Sequence, residues 1–332
     1  MSGERLKVFV TGATGFIGGQ LVPKLVERQH DVYSFERYVT GRYVLGQRRD
    51  VKTVFGDLKE YYTVKRVLHE VQPDIVIHLA SISPVAYSYD HPHEVIETNF
   101  LGTVNLAEAC LHEVPHFKHF LFASTSETYG NGPAPKTEDT QQNPNSPYAV
   151  GKFACEKYLL YMYSAYGFPM TILRNFNTYG RKNNTHFVVE RTIVQMLAEE
   201  IVKLGDPSPI RDLQYVDDHV NSYLTCLDNP KAKGEIFNFC TGKGTSIKQL
   251  VDLISKLVDF KGEIIWNTIP ARPVDIKELV GDYSKAKHLL GWEPKFTLEE
   301  GLRLTIEFWK NKSSEGSLTK DLKMRQKSEY TN

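Results

Sequence analysis

The chain has 332 residues, 41% hydrophobic and 24% charged, with 40 Lys and Arg balancing 40 Asp and Glu to a formal net charge of zero. That mixture excludes a disordered chain, and the balanced charge lacks the basic excess of a dedicated nucleic-acid or anionic-membrane binder. No apolar run reaches the roughly 18 to 20 residues of a membrane span, and the N-terminus is too charged for a signal peptide, so a cytoplasmic protein is expected.

The first two-thirds alternates short β-branched or aromatic runs with helix-periodic stretches, which predicts an α/β fold built on a doubly wound parallel sheet. Strands are expected over 7–11, 32–36, 53–55, 74–79, 120–124 and 171–174, with ligand-binding loops following each along one sheet edge. Cys110, Cys155, Cys226 and Cys240 stand far apart in apolar contexts, as reduced core thiols with no metal site.

The first strand runs into Thr11-Gly12-Ala13-Thr14-Gly15-Phe16-Ile17-Gly18, followed by a stretch with Leu21, Val22, Leu25 and Val26 on one helical face. Glycines at these spacings permit a tight turn, close backbone approach to a pyrophosphate and helix-on-strand packing, a Rossmann-like dinucleotide site. Pro23 is a departure expected to bend or loosen the helix. Glu36, closing the second strand, is placed for an adenosine ribose and favours NAD slightly. Arg37 and Arg42 are the residues that would instead hold the 2′-phosphate of NADP. Asp57, with Leu58 beside it, is either an adenine contact or a helix cap. Leu79, Ala80 and Ser81, after the fourth strand, complete the expected cofactor surface.

At the end of the fifth strand comes Ser124-Thr125-Ser126-Glu127-Thr128-Tyr129-Gly130, and downstream Tyr148 and Lys152 lie four apart, on one face of a helix starting near Pro147. An ammonium so close is expected to lower the Tyr148 pKa and make it a base at neutral pH. On its own the spacing also describes a surface pair.

Together these segments resemble the extended short-chain dehydrogenase/reductases that act on nucleotide sugars, and the likeness runs from residue 7 to about 310. The resemblance implies that Tyr148, with Lys152 and Thr125, removes a sugar O4 proton while hydride leaves C4 for the nicotinamide. The block around Glu127 is similar to that of GDP-mannose 4,6-dehydratases, whose glutamate takes the C5 proton. Ser126 stands where dTDP-glucose dehydratases carry an acid, so Glu127 would serve both proton steps. UDP-glucuronate decarboxylases share the block. Against them stand the turn Ala149-Val150-Gly151 and Asp212, which looks more like the dehydratase segment. A 4-epimerase and a catalytically silent NAD(P)-binding regulator are the remaining alternatives.

For the nucleoside-diphosphate sugar, forked guanidinium donors are needed, and by resemblance Arg191, Arg211 and Arg272 fall there. Asn177 matches the family's substrate asparagine, and Ser83 is placed for a sugar hydroxyl. Residues 1–180 are expected to form the dinucleotide-binding domain, 181–311 mainly an interleaved substrate lobe, and 312–332 a polar tail. The helix carrying Tyr148 is apolar on more than one face. This means either core burial or, as the resemblance implies, a homodimer interface shared with the helix around 105–110.

Overall fold

An apolar run such as Val8-Phe9-Val10 can be covered on both sides only inside a parallel sheet flanked by helices, and that is where it lies. A computed structural model describes residues 4–37, 50–181, 184–227, 229–270 and 272–314. The sheet contains β1 (Lys7–Thr11), β2 (Asp31–Glu36), β3 (Val51–Phe55), β4 (Ile75–His78), β5 (His119–Thr125), β6 (Met170–Asn175) and, from far downstream, β10 (Ile236–Phe239). Its order is β10-β6-β5-β4-β1-β2-β3, every pair parallel. The order reverses at β1, between β4 and β2, which opens a crevice at the carboxyl ends of the strands. The expected six strands are all present, and β10 is a seventh that sequence patterning did not single out.

Alternation along β1 splits the interior. Val8 and Val10 join one cluster with Leu21, Val22, Val220 and Tyr223, while Phe9 joins the other with Leu106, Phe120, Cys155 and Leu159. The first face is covered by α1 (Phe16–Glu27) and α8 (Val216–Cys226). The second is covered by α2 (Tyr61–Val71), α5 (Gly102–Glu113) and α6 (Pro147–Tyr166). Pro23 does not end α1, which continues to Glu27 on the buried Leu21, Val22 and Leu25. The short α3 (Val85–Asp90) and α4 (Pro92–Ile96) precede α5, and a π-helical turn over Glu97–Leu101 joins α4 to α5.

A second, smaller sheet pairs β7 (Asn177–Tyr179), β9 (Ile210–Tyr215), β11 (Gly244–Ser246) and β13 (Glu278–Leu279), and β8 (Ile201–Lys203) pairs with β12 (Glu263–Ile265). Around them pack α7 (Val188–Ala198), α9 (Ile247–Val258), α10 (Ser284–Leu290) and α11 (Leu298–Ser314). The capping box of Ser246 and Gln249 starts α9. All four cysteines are buried and free. No helix among the described residues is long and apolar enough to cross a membrane. Most of the expected polar tail lies outside the described residues.

Candidate active site

Gly12 has φ +70°, and a Cβ there would stand 2.8 Å from the Ala80 nitrogen. A Cβ on Gly18 would stand 2.3 Å from the Gly12 oxygen, so only bare backbone lets α1 approach the turn this closely. The N-terminal end of α1 carries no side-chain cap, leaving its first N–H groups for an anion.

This turn forms one wall of a cavity of about 1320 Å³. Gly12, Gly15, Phe16, Ile17, Gly18, Leu79, Ala80, Ser81 and Ser83 line it, together with Thr125, Ser126, Glu127, Tyr148 and Lys152. Asn177, Arg191, Arg211 and Arg272 line it from the smaller lobe. Ser81 Oγ and Asn177 Oδ1 are among the buried polar atoms here that lack a protein partner. The glycine cradle and these orphaned atoms fit a bound dinucleotide and sugar.

Thr14, Glu36, Arg37, Asp57 and Leu58 lie outside this cavity. Thr14 Oγ1 donates to Glu36 Oε2 at 3.0 Å and Ser34 Oγ to Glu36 Oε1 at 2.5 Å, fixing the carboxylate at the end of β2. Arg37 is exposed, and Arg42 falls outside the described residues. Asp57 Oδ1 accepts the Lys59 N–H at 3.0 Å in the turn before α2, but it does not cap that helix, whose N-cap is Glu60. Leu58 is buried against Gly102 of α5.

Pro147 at the first turn and Ser146 as N-cap, accepting the Ala149 N–H at 3.2 Å, start α6 so that Tyr148 and Lys152 both face the cavity. Thr125 ends β5 beside them, and its Oγ1 accepts the Glu127 N–H at 3.2 Å, opening the 3₁₀ turn that carries Glu127. Lys152 Nζ donates to the Ala123 carbonyl at 2.7 Å. Burial pulls the Lys152 pKa down to about 8 against the opposing pull of Cys155 and Glu156.

The expectation that Lys152 depresses Tyr148 is not met. Burial raises the phenol, the neighbouring Glu127 charge raises it further, and Thr125 opposes them only in part. Glu127 is 9% exposed, and burial also raises its carboxyl above the usual range, opposed by Arg211 and Arg272. Tyr148 and Glu127 are therefore close enough to sense each other's charge, and both favour the protonated form.

At the sugar-phosphate end, Arg211 donates to Asp275 at 3.1 Å and Arg272 lies 3.9 Å from the same carboxylate. Arg191 Nε donates to the Thr185 carbonyl at 3.3 Å. Asp212 points elsewhere: its carboxylate accepts Thr241 N at 2.8 Å, Thr241 Oγ1 at 2.6 Å and Gly242 N at 2.8 Å. It ties β9 to the turn before β11.

Some cavity-shaping residues had no local signal in the sequence. Asn99, in the π-helical turn, accepts Ile82 N at 2.8 Å and donates to Ile82 O at 3.0 Å, pinning the loop that bears Ser81 and Ser83. Under the site, Glu156 of α6 holds Arg174 of β6 at 2.7 Å, both essentially excluded from water, and Ser124 also donates to Glu156. Asn175, His219 and Tyr223 line the cavity from β6 and α8.

The family model for GDP-mannose 4,6-dehydratase matches residues 9–305. A UDP-glucose 4-epimerase of Mycolicibacterium smegmatis is 33% identical over 93% of this chain and 100% of its own length. A dTDP-glucose 4,6-dehydratase of Xanthomonas campestris pv. campestris is 31% identical over 90% of this chain and 92% of its own. The crystal structure of a Thermus thermophilus UDP-glucose 4-epimerase complex with NAD superposes with a TM-score of 0.82 at 30% identity, covering 92% of this chain and 99% of that one.

Proposed function

Because the chain belongs to the extended short-chain dehydrogenase/reductase family of NAD-dependent nucleotide-sugar epimerases and dehydratases, we propose that it is an NAD-dependent nucleoside-diphosphate-hexose 4,6-dehydratase. The observation that carries this reading is the Glu127 carboxyl, buried in the same cavity as Tyr148 and close enough for its charge to raise the phenol. A 4-epimerase needs one base at O4. A dehydratase needs a second, at C5, and here one is present.

When bound, NAD supplies a hydride acceptor for C4 that later gives the same hydride to C6. Tyr148 in its deprotonated form, positioned with Thr125 and Lys152, would take the O4 proton, so that with loss of the C4 hydride the alcohol becomes a ketone. Glu127 takes the C5 proton, now acidic beside that ketone, and delivers a proton to the C6 hydroxyl, which leaves as water. With that hydride returned to C6, the proton that Tyr148 took from O4 would go to C5, so the net reaction is loss of water to a 4-keto-6-deoxy sugar. Burial raises the Glu127 carboxyl, which favours its holding the C5 proton until it is passed on. Arg191, Arg211 and Arg272 hold the diphosphate, Asn177 and Ser83 contact the sugar, and the fixed Glu36 carboxylate favours the free ribose hydroxyl of NAD over a 2′-phosphate. A homodimer through the outer faces of α6 and the π-helical turn completes the reading, with Asn105, Leu106, Ala107, Ala109 and Cys110 of α5, expected at that interface, buried within this chain instead.

The 4-epimerase is the second reading, favoured by the 33% identity to an enzyme of that name. Proton NMR of products from a panel of GDP-, UDP-, dTDP- and CDP-hexoses separates the two. The expected product has a C6 methyl and a C4 ketone, and Glu127→Gln loses it by roughly 10²- to 10⁴-fold while still reducing bound NAD. A C4 epimer with its C6 hydroxyl intact, formed equally by the variant, overturns the dehydratase.

A further inference from the structure

The cavity wall built by β6 and α8 buries two hydrogen-bond donors that nothing in the protein accepts. Tyr223 is 0% exposed and Asn175 5%, and both line the cavity. Neither the Tyr223 hydroxyl nor the Asn175 Nδ2 makes a hydrogen bond of good geometry, although the Asn175 amide lies close enough to the hydroxyl to oppose in part the rise that burial causes in its pKa. The surroundings fix both groups rather than satisfying them. Asn175 Oδ1 accepts the Ser222 hydroxyl at 3.4 Å. The Tyr223 ring stacks on His219 at 5.6 Å and 18°, and His219 Nδ1 meets Thr178 Oγ1 at 2.6 Å. Each unsatisfied buried donor costs about 1–3 kcal/mol, so two of them held side by side imply an acceptor brought by a ligand.

Position decides which part of the ligand that is. Asn175 pairs in register with Thr125 across β6 and β5, and Tyr148 lies close enough for its charge to act on Tyr223. The two donors therefore stand at the reacting end of the cavity. The arginines expected to bind phosphate converge on Asp275, from a different lobe. Two neutral donors in a desolvated wall suit a neutral acceptor, because an anion there would lack a counter-charge. We propose that Tyr223 Oη and Asn175 Nδ2 bind the carboxamide oxygen of the nicotinamide ring. Resting on the NAD-dependent reading above, this contact fixes the ring and holds the reduced cofactor in place until its hydride has been returned.

Calorimetric titration of Tyr223→Phe, stripped of cofactor, with NAD, NADH and ADP-ribose tests the proposal without any sugar. The outcome therefore does not depend on whether the enzyme dehydrates or epimerises. ADP-ribose lacks only the nicotinamide and reports on the rest of the dinucleotide site and on folding. Affinity for NAD and NADH is expected to fall about tenfold, with ADP-ribose unchanged within about twofold. Asn175→Leu, which removes the neighbouring donor, gives the same selective loss. Equal losses for NAD and ADP-ribose, or no loss for either, overturns the assignment.

Discussion

Lys152 is an ammonium placed where water cannot solvate it, and the cost is legible as a pH dependence of stability. Its folded pKa of about 8 lies below the ordinary 10.5, so between those values the unfolded chain binds more protons. Stability is therefore present at high pH and lost as pH falls through 8, and a displacement of this size corresponds to about 3 kcal/mol. Urea midpoints of the cofactor-free protein are expected to rise from pH 7 to about 9.5, and Lys152→Met should flatten the rise. Parallel profiles for the two proteins would show that the ammonium is solvated. Glu127 runs the other way. With its pKa raised, its contribution is full below the ordinary carboxyl range and lost as pH rises through the folded value, so Glu127→Gln gains stability over the parent at neutral pH. Both charged groups weaken the empty fold, as expected of residues held for chemistry rather than packing.

At the scale of elements, the site is assembled by joining α6 to β5 and β6. The join is the Glu156–Arg174 pair, in which Arg174 also donates to Tyr129 Oη at 2.8 Å and Gln142 donates to Glu156 at 2.7 Å. Glu156→Ala leaves a buried guanidinium unpaired and is expected to cost about 3–5 kcal/mol in chemical denaturation. The double replacement Glu156→Leu with Arg174→Met should recover most of that stability, because the penalty lies in the orphaned charge. A double variant as unstable as the single one would place the cost in packing instead.

This join also marks where sequence reading stops. The glycine turn, Thr125 to Glu127, and Tyr148 with Lys152 were legible because each set lies within one short segment whose spacing is its geometry. The strands were legible because parallel burial leaves continuous apolar runs. Glu156 with Arg174, Asn99 with Ile82, and Asn175 with Tyr223 meet only through tertiary packing, and no period in the chain links them. The Tyr148 pKa was misread for the same reason. Spacing reveals that a lysine is near but not how deeply the pair is buried, and burial outweighs the lysine. Alternation along β9 turns Asp212 away from the cavity that Arg211 faces, which spacing alone does not reveal.

For the whole molecule, the unresolved burden is apolar surface left in water. The inward face of α6 is accounted for by Tyr148, Lys152, Cys155, Leu159 and Met162, yet Val150 is 45% and Tyr161 50% exposed on its outer face. Leu101, from the π-helical turn, is 43% exposed. Phe100 packs edge-on against Tyr158 at 6.3 Å, which makes the two helical elements one continuous surface. A helix apolar on both faces is satisfied on only one by this chain, and a second copy related by a two-fold axis would cover the other with the same residues. Because Val150 lies in the turn between Tyr148 and Lys152, such a contact would also stiffen the catalytic turn. Light scattering is expected to show a dimer for the parent chain and a monomer for Leu101→Glu with Tyr161→Glu, two substitutions outside the cavity. The monomer should keep its fold by circular dichroism and lose turnover more than cofactor affinity. A double variant that stays dimeric at micromolar concentration would mean that the chains associate through another face.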